Sequence, residues 1–164
     1  MKKIIIVRHA KSSWGDFGLS DFNRPLDARG LRDAPEMASK LKKQGHRLDK
    51  IISSDALRAK STAKYFSEEF NVPLSEMHSL YHGEPDDYLN ILASLDDQVD
   101  CVAMFGHNPG ITEIANIIKA GCTTNIPTCG IIILEYNSKL WLGIDWFKMK
   151  MLGIMTPKGN GYAK

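Results

Sequence analysis

The sequence predicts an α/β protein of three α/β/α layers with a mostly parallel central sheet, and three observations carry that expectation. Short runs with apolar centres, at residues 4–7, 49–53 and 100–105, end abruptly in polar residues or glycine, as buried strands do. Segments of helical period alternate with these runs over most of the length. The 164 residues, 43% hydrophobic and 24% charged, have the composition of an ordinary folded chain. Their number suits one domain spanning 1–164.

Each element follows in turn. Residues 4–7 form a β-branched strand that delivers Arg8 and His9 at its carboxyl end. Residues 12–24 are polar, carry Gly15 and Gly18, and read as a loop. Residues 28–43 have helical spacing at Leu31, Ala34, Ala38 and Leu41; Pro35, which lacks an amide N–H, predicts a break or a first turn there. A second strand at 49–53 leads into a helix over 56–70, with Leu57, Ala63, Phe66 and Phe70 inward. Residues 72–77 read as a short strand, and 85–95 as a helix with Tyr88, Leu89, Leu92 and Leu95 on one face. The apolar strand at 100–105 runs into Gly106-His107-Asn108-Pro109-Gly110, a turn that opens a helix at 111–119. Residues 130–136 and 141–148 read as consecutive strands, and the Gly- and Lys-rich tail 156–164 as flexible.

Composition bounds the function. The formal net charge of +2 argues against a protein built to coat nucleic acid or an anionic membrane. Trp14, Phe17 and Phe22 form no evident stacking platform for bases. The charge is unevenly spread: residues 1–64 hold 15 Lys/Arg against 7 Asp/Glu, and residues 65–164 hold 6 against 12. That asymmetry hints at an anion site built from the front of the chain. The basic start has only four apolar residues before Arg8, short of a secretory signal, and no stretch is long enough to span a bilayer. Cys101, Cys122 and Cys129 are odd in number and form no C-x-x-C pair, so they read as reduced, partly buried thiols of a cytoplasmic protein.

In parallel sheets ligands bind beyond the carboxyl ends of the strands, which singles out Arg8-His9 and His107. Arg58 joins them, where the second strand gives way to a helix. A cation there opposes the helix dipole unless an anion binds at the same end. Two guanidiniums and two imidazoles at strand ends describe a phosphate pocket, since arginine's planar fork pairs with two phosphoryl oxygens at once. Among the other histidines, His46 reads as solvent-exposed in a helix-to-strand connection. His78 and His82 are four apart, but the Glu of the zinc-protease pattern is missing and Gly83 and Pro85 argue for a loop, so no metal site is read.

The chain resembles the histidine phosphatase superfamily, whose fold is phosphoglycerate mutase-like. The resemblance rests on Val7-Arg8-His9-Ala10-Lys11-Ser12, Arg24-Pro25-Leu26 with Arg29-Gly30, Ser53-Ser54-Asp55-Ala56-Leu57-Arg58-Ala59 and Gly106-His107-Asn108-Pro109-Gly110, in the family's order and covering about residues 1–136. Arg-His-Ala in place of the usual Arg-His-Gly, with the compact length, is similar to the short SixA-type branch, associated with phosphohistidine phosphatases. The resemblance implies His9 as nucleophile, with Arg8, Arg58 and His107 on the phosphoryl oxygens and no metal or other cofactor. The implied partner is a phosphorylated protein bearing phosphohistidine, or else a small phosphorylated metabolite, with phosphate as product. A mutase would need more chain to enclose its substrate. A non-catalytic phosphate-binding module would have no need of a nucleophile. Glu84, and more distantly Asp86 and Asp16, are the candidate general acids; Glu84 is equally an exposed or capping carboxylate at a helix start. Ser12, Asn23 and Arg24 are placed at the pocket mouth, Arg24 being either a further phosphate ligand or a loop arginine paired with Asp21 or Asp27.

Overall fold

The computed structural model describes residues 1–161. The chain forms β1 (Lys2–Arg8), α1 (Ala28–Lys43), β2 (Lys50–Ser53), α2 (Leu57–Phe70), β3 (Leu74–Glu76), α3 (Pro85–Ala93), β4 (Cys101–Gly106), α4 (Gly110–Ile118), β5 (Ile131–Tyr136), β6 (Met149–Thr156) and β7 (Gly159–Gly161). The strands make one sheet in the order β3-β2-β4-β1-β5-β6-β7. Its β3, β2, β4 and β1 half is parallel, and β5, β6 and β7 continue it antiparallel.

Residue alternation along β1 divides the core. Ile4 and Ile6 face a cluster with Tyr88, Leu92, Ile111, Ile114, Trp141 and Trp146. Ile5 and Val7 face the opposite cluster, with Ala34, Met37, Leu41, Ala63 and Phe66. Helices α3 and α4 therefore cover one face and α1 and α2 the other, and β1, buried on both sides, can be apolar without a break. Among the described residues no helix is long and apolar enough to cross a membrane.

Three expectations are corrected. Helix α1 runs through Pro35 without interruption. Ala34, Met37, Ala38 and Leu41 on its inner face are fully buried, and that burial outweighs the loss of one backbone hydrogen bond, about 3 kcal/mol. The predicted strand at 141–148 is instead a loop ending in a 3-10 turn, Trp146–Lys148; the apolar residues that mimic a strand, Trp141, Ile144 and Trp146, are buried as loop anchors. The last long strand lies further on, in β6, where Met149, Met151, Gly153 and Met155 alternate inward. The tail expected to be flexible pairs instead at Thr156↔Gly159 and Ile154↔Gly161, and its residues 162–164 lie outside the described ones.

Candidate active site

Register builds the site. In the parallel pair β1/β4, Arg8 stands opposite Gly106, so His9 and His107 leave adjacent strands at the same level. The His9 amide donates to the Gly106 carbonyl (3.0 Å) and the Ser54 amide to the Phe105 carbonyl (2.9 Å). The His9 and His107 ring centroids are 5.1 Å apart. Thr62 of α2 accepts from the Ala10 amide (2.9 Å) and donates to the Arg58 carbonyl (2.7 Å). That clamp seats the first turn of α2, and with it Arg58, against the His9 segment.

A hydrogen bond defines the His9 tautomer. The His9 Nδ1 lies 2.7 Å from the Ala10 carbonyl, which can only accept, so Nδ1 carries the proton. The lone pair of Nε2 accepts from Arg58 Nε at 3.3 Å. Ser54 Oγ accepts from the Ala56 amide (3.2 Å) and stands 2.8 Å from His107 Nε2. That hydroxyl can donate to Nε2 or accept from it. Burial, followed by the nearby cations, holds the His9 imidazole far below its ordinary value, at about 3. Burial and then the neighbouring His9 lower His107 to about 2. Both rings are neutral at pH 7.

The cleft between them has a volume of about 220 Å³. His9, Arg58 and His107 form its floor, 7%, 5% and 7% exposed. Arg8, Ser12 and Arg24 wall it, and Lys11, Trp14, Asn108 and Thr128 complete the lining, which contains no carboxylate. Arg8 donates to the Ile126 carbonyl at 2.8 Å, while its Nε and the His107 Nδ1 are buried without a partner among the described residues. Arg24 donates to Ser12 Oγ at 2.8 Å.

Asp21 organises the guanidiniums. Arg58 donates to its carbonyl (2.7 Å) and to Oδ2 (3.1 Å), Arg24 to Oδ1 (3.1 Å), and the Tyr81 hydroxyl to Oδ2 (2.5 Å). The Tyr81 hydrogen bond, opposed by burial and helped by both arginines, holds the Asp21 carboxyl down at about 2. The pairing of Arg24 with Asp21, one of two alternatives read from the sequence, is thus the observed one, and it coexists with Arg24 lining the cleft. Asn108, inside the Gly-His-Asn-Pro-Gly turn, donates to the Ile126 carbonyl (3.0 Å) and fixes the loop that Arg8 also grips.

The structure does not bring every candidate to the cleft. Glu84 is the exposed N-cap of α3, its amide donating to Asp87 Oδ2 at 2.8 Å, and it is absent from the lining. Asp16 accepts from the Gly18 amide in an exposed turn, Asp86 is exposed on α3, and Asn23 donates to Ser20. His46 is half-buried rather than exposed, with its Nδ1 sequestered. His78 faces Asp55 at 2.9 Å and His82 stacks on Tyr81 at 4.0 Å. Tyr81 and Ser54 were not singled out from the sequence, and Asp21 only as a possible partner of Arg24. Asp21 and Tyr81 stand in irregular segments with no periodicity to mark them. Ser54, next to a strand end, could have been found by asking what hydrogen-bonds His107.

This fold and this pocket define a class. The model of the histidine phosphatase superfamily (branch 1) matches residues 4–82, the stretch that carries Arg8, His9, Arg24 and Arg58. An uncharacterized chloroplastic protein of Arabidopsis thaliana is 28% identical over 151 residues, 85% of this chain and 69% of that one. A SixA protein of Agrobacterium tumefaciens has the same fold, with a TM-score of 0.82 at 23% identity over 95% of this chain and 98% of its own. The protein histidine phosphatase SixA in complex with tungstate follows at 0.78 and 22% identity, over 95% and 97%. The fold is therefore phosphoglycerate mutase-like, and the family supports phosphatase chemistry on a phosphorylated substrate.

Proposed function

We propose that the protein is a metal-independent protein phosphohistidine phosphatase of the SixA type, acting through a phosphohistidine on its own His9. The observation that carries this reading is the neutral His9 Nε2, held by Arg58 in a cleft where two buried nitrogens, Arg8 Nε and His107 Nδ1, have no partner among the described residues. His9 Nε2 attacks phosphorus as the bond to the leaving group breaks. Arg8, Arg58 and His107 hold the three non-bridging oxygens, and Arg24 with Ser12 supports the phosphoryl group at the wall. Water then attacks the phosphoenzyme, releasing phosphate and restoring Nε2.

The missing carboxylate in the lining favours phosphohistidine over an alkyl phosphomonoester. An imidazole leaves far more readily than an alkoxide and needs less help from an acid. Glu84, at the α3 N-cap, is the carboxylate left to protonate a poorer leaving group. The three free cysteines fit a reducing cytoplasm, where this chain would act as one domain.

A phosphoenzyme should be trapped by alkaline denaturing quench after mixing with phosphohistidine protein, and His9→Ala should abolish it with EDTA leaving turnover unchanged. Arg58→Ala should lower kcat by about 10²–10³-fold. Undiminished turnover in His9→Ala overturns the mechanism. Phosphate binding without any phosphoenzyme would make the protein a binding module. A strong preference for a simple ester, lost in Glu84→Gln, would make it a small-molecule phosphatase.

A further inference from the structure

The phosphate cleft continues into an apolar rim. Trp141 and Trp146 are buried, but Trp14 is 66% exposed although it lines the cleft. Its ring lies 3.5 Å from the Arg24 guanidinium, face on. Arg24 is in turn fixed by Ser12 and Asp21, so a loop residue is held rigidly by a cation–π contact. Phe17 and Leu19, on the same loop, are 97% and 40% exposed. An exposed Trp14 in the lining, followed on its loop by two more exposed apolar side chains, marks a surface that meets another molecule.

Reaction geometry says which part of that molecule. In-line displacement sends the leaving group out on the side opposite Nε2, and Trp14 is the exposed residue with a large aromatic face in the lining. We infer that Trp14 is the platform on which the leaving imidazole of a protein phosphohistidine stacks, while Phe17 and Leu19 meet the apolar surface around that histidine. This rests on the phosphatase reading above and adds the residues that select the leaving group. A planar ring gains from an aromatic face, and a sugar or alkyl ester gains less. The loop over residues 13–20 is exposed except at its first residue, which leaves it accessible to a substrate presented on a protein.

The test compares three donors on the whole protein: phosphoramidate, which has no ring; free phosphohistidine; and a phosphohistidine-bearing protein. In Trp14→Ala the ratio of KM for free phosphohistidine to KM for phosphoramidate should rise about tenfold, and Trp14→Phe should restore most of it. Phe17→Ala should raise KM for the protein donor relative to free phosphohistidine. An unchanged ratio in Trp14→Ala, with the wild type active on all three donors, overturns the platform and leaves the phosphatase reading standing. Equal losses on all donors would also overturn it, showing that Trp14 only props Arg24. A wild type that forms its phosphoenzyme from esters but not from phosphohistidine would instead defeat the substrate reading, and the platform with it.

Discussion

The His9 imidazole is kept neutral by burial. Its neutral form survives far below the pH at which a free imidazole would gain a proton, because the charged form would be desolvated beside three arginines. The acid limb of kcat/KM, which reports the free enzyme, should therefore show no histidine titration between pH 7 and 5 once the donor's own ionisation is subtracted. Asp21 acts one step back, as a positioning residue that aims Arg58 and Arg24. Asp21→Asn should lower kcat about tenfold and leave KM for orthophosphate-like inhibitors less affected, a split that steady-state kinetics reads directly. At this scale Arg8, His9, Arg58 and His107 were legible in the sequence because strand ends in a parallel sheet are where ligands bind. Tyr81 was not, and Asp21 only as a possible partner of Arg24, since they enter from irregular segments through hydrogen bonds that leave no periodic trace. Cys129 was legible only as a thiol. In the structure it has φ 59°, a strained backbone for a residue with a Cβ, and its amide donates to the carbonyls of both Arg8 and His9 at 3.0 Å.

Elements hold the site through close backbone approaches. A Cβ on Gly110, at the start of α4, would lie 2.1 Å from the Gly83 carbonyl oxygen, and one on Gly30 would lie 2.2 Å from that of Lys11. Neither carbonyl is the tip of a flexible side chain. Gly110→Ala should therefore cost about 1–3 kcal/mol of stability and reduce phosphoenzyme formation, since His107 lies in the turn that α4 would drag with it. Calorimetry and quench trapping on one preparation check both. The parallel half of the sheet was readable from its β-branched runs, which need burial on both faces. The β6 strand escaped because its inward positions are Met and Gly, weak strand formers that its partners β5 and β7 hold in register. Pro35 misled in the opposite sense, its local penalty being outweighed by the packing of α1.

Across the whole molecule, the two buried imidazoles link stability to acidity. Unfolded, each takes up a proton near pH 6.5; folded, His9 resists protonation to about 3 and His107 to about 2. Between those limits the unfolded state binds more protons, so stability falls as pH falls from about 6.5, by at most about 2.7 kcal/mol per pH unit for two protons. The Tm should accordingly drop between pH 7.5 and 5.0, His9→Ala should flatten the slope, and orthophosphate or tungstate should raise Tm by mass action. Unaltered slope in His9→Ala would remove that residue from the explanation. The order of the sheet carries a consequence in time. Strand β1 is made well before either of its neighbours, β4 and β5. A nascent chain halted before Cys101 would carry His9, Arg58 and half a pocket with no second imidazole, and so could neither bind phosphate tightly nor consume a donor. Activity therefore arrives late in synthesis, and two separately expressed pieces, 1–98 and 99–164, should each be silent until they are mixed.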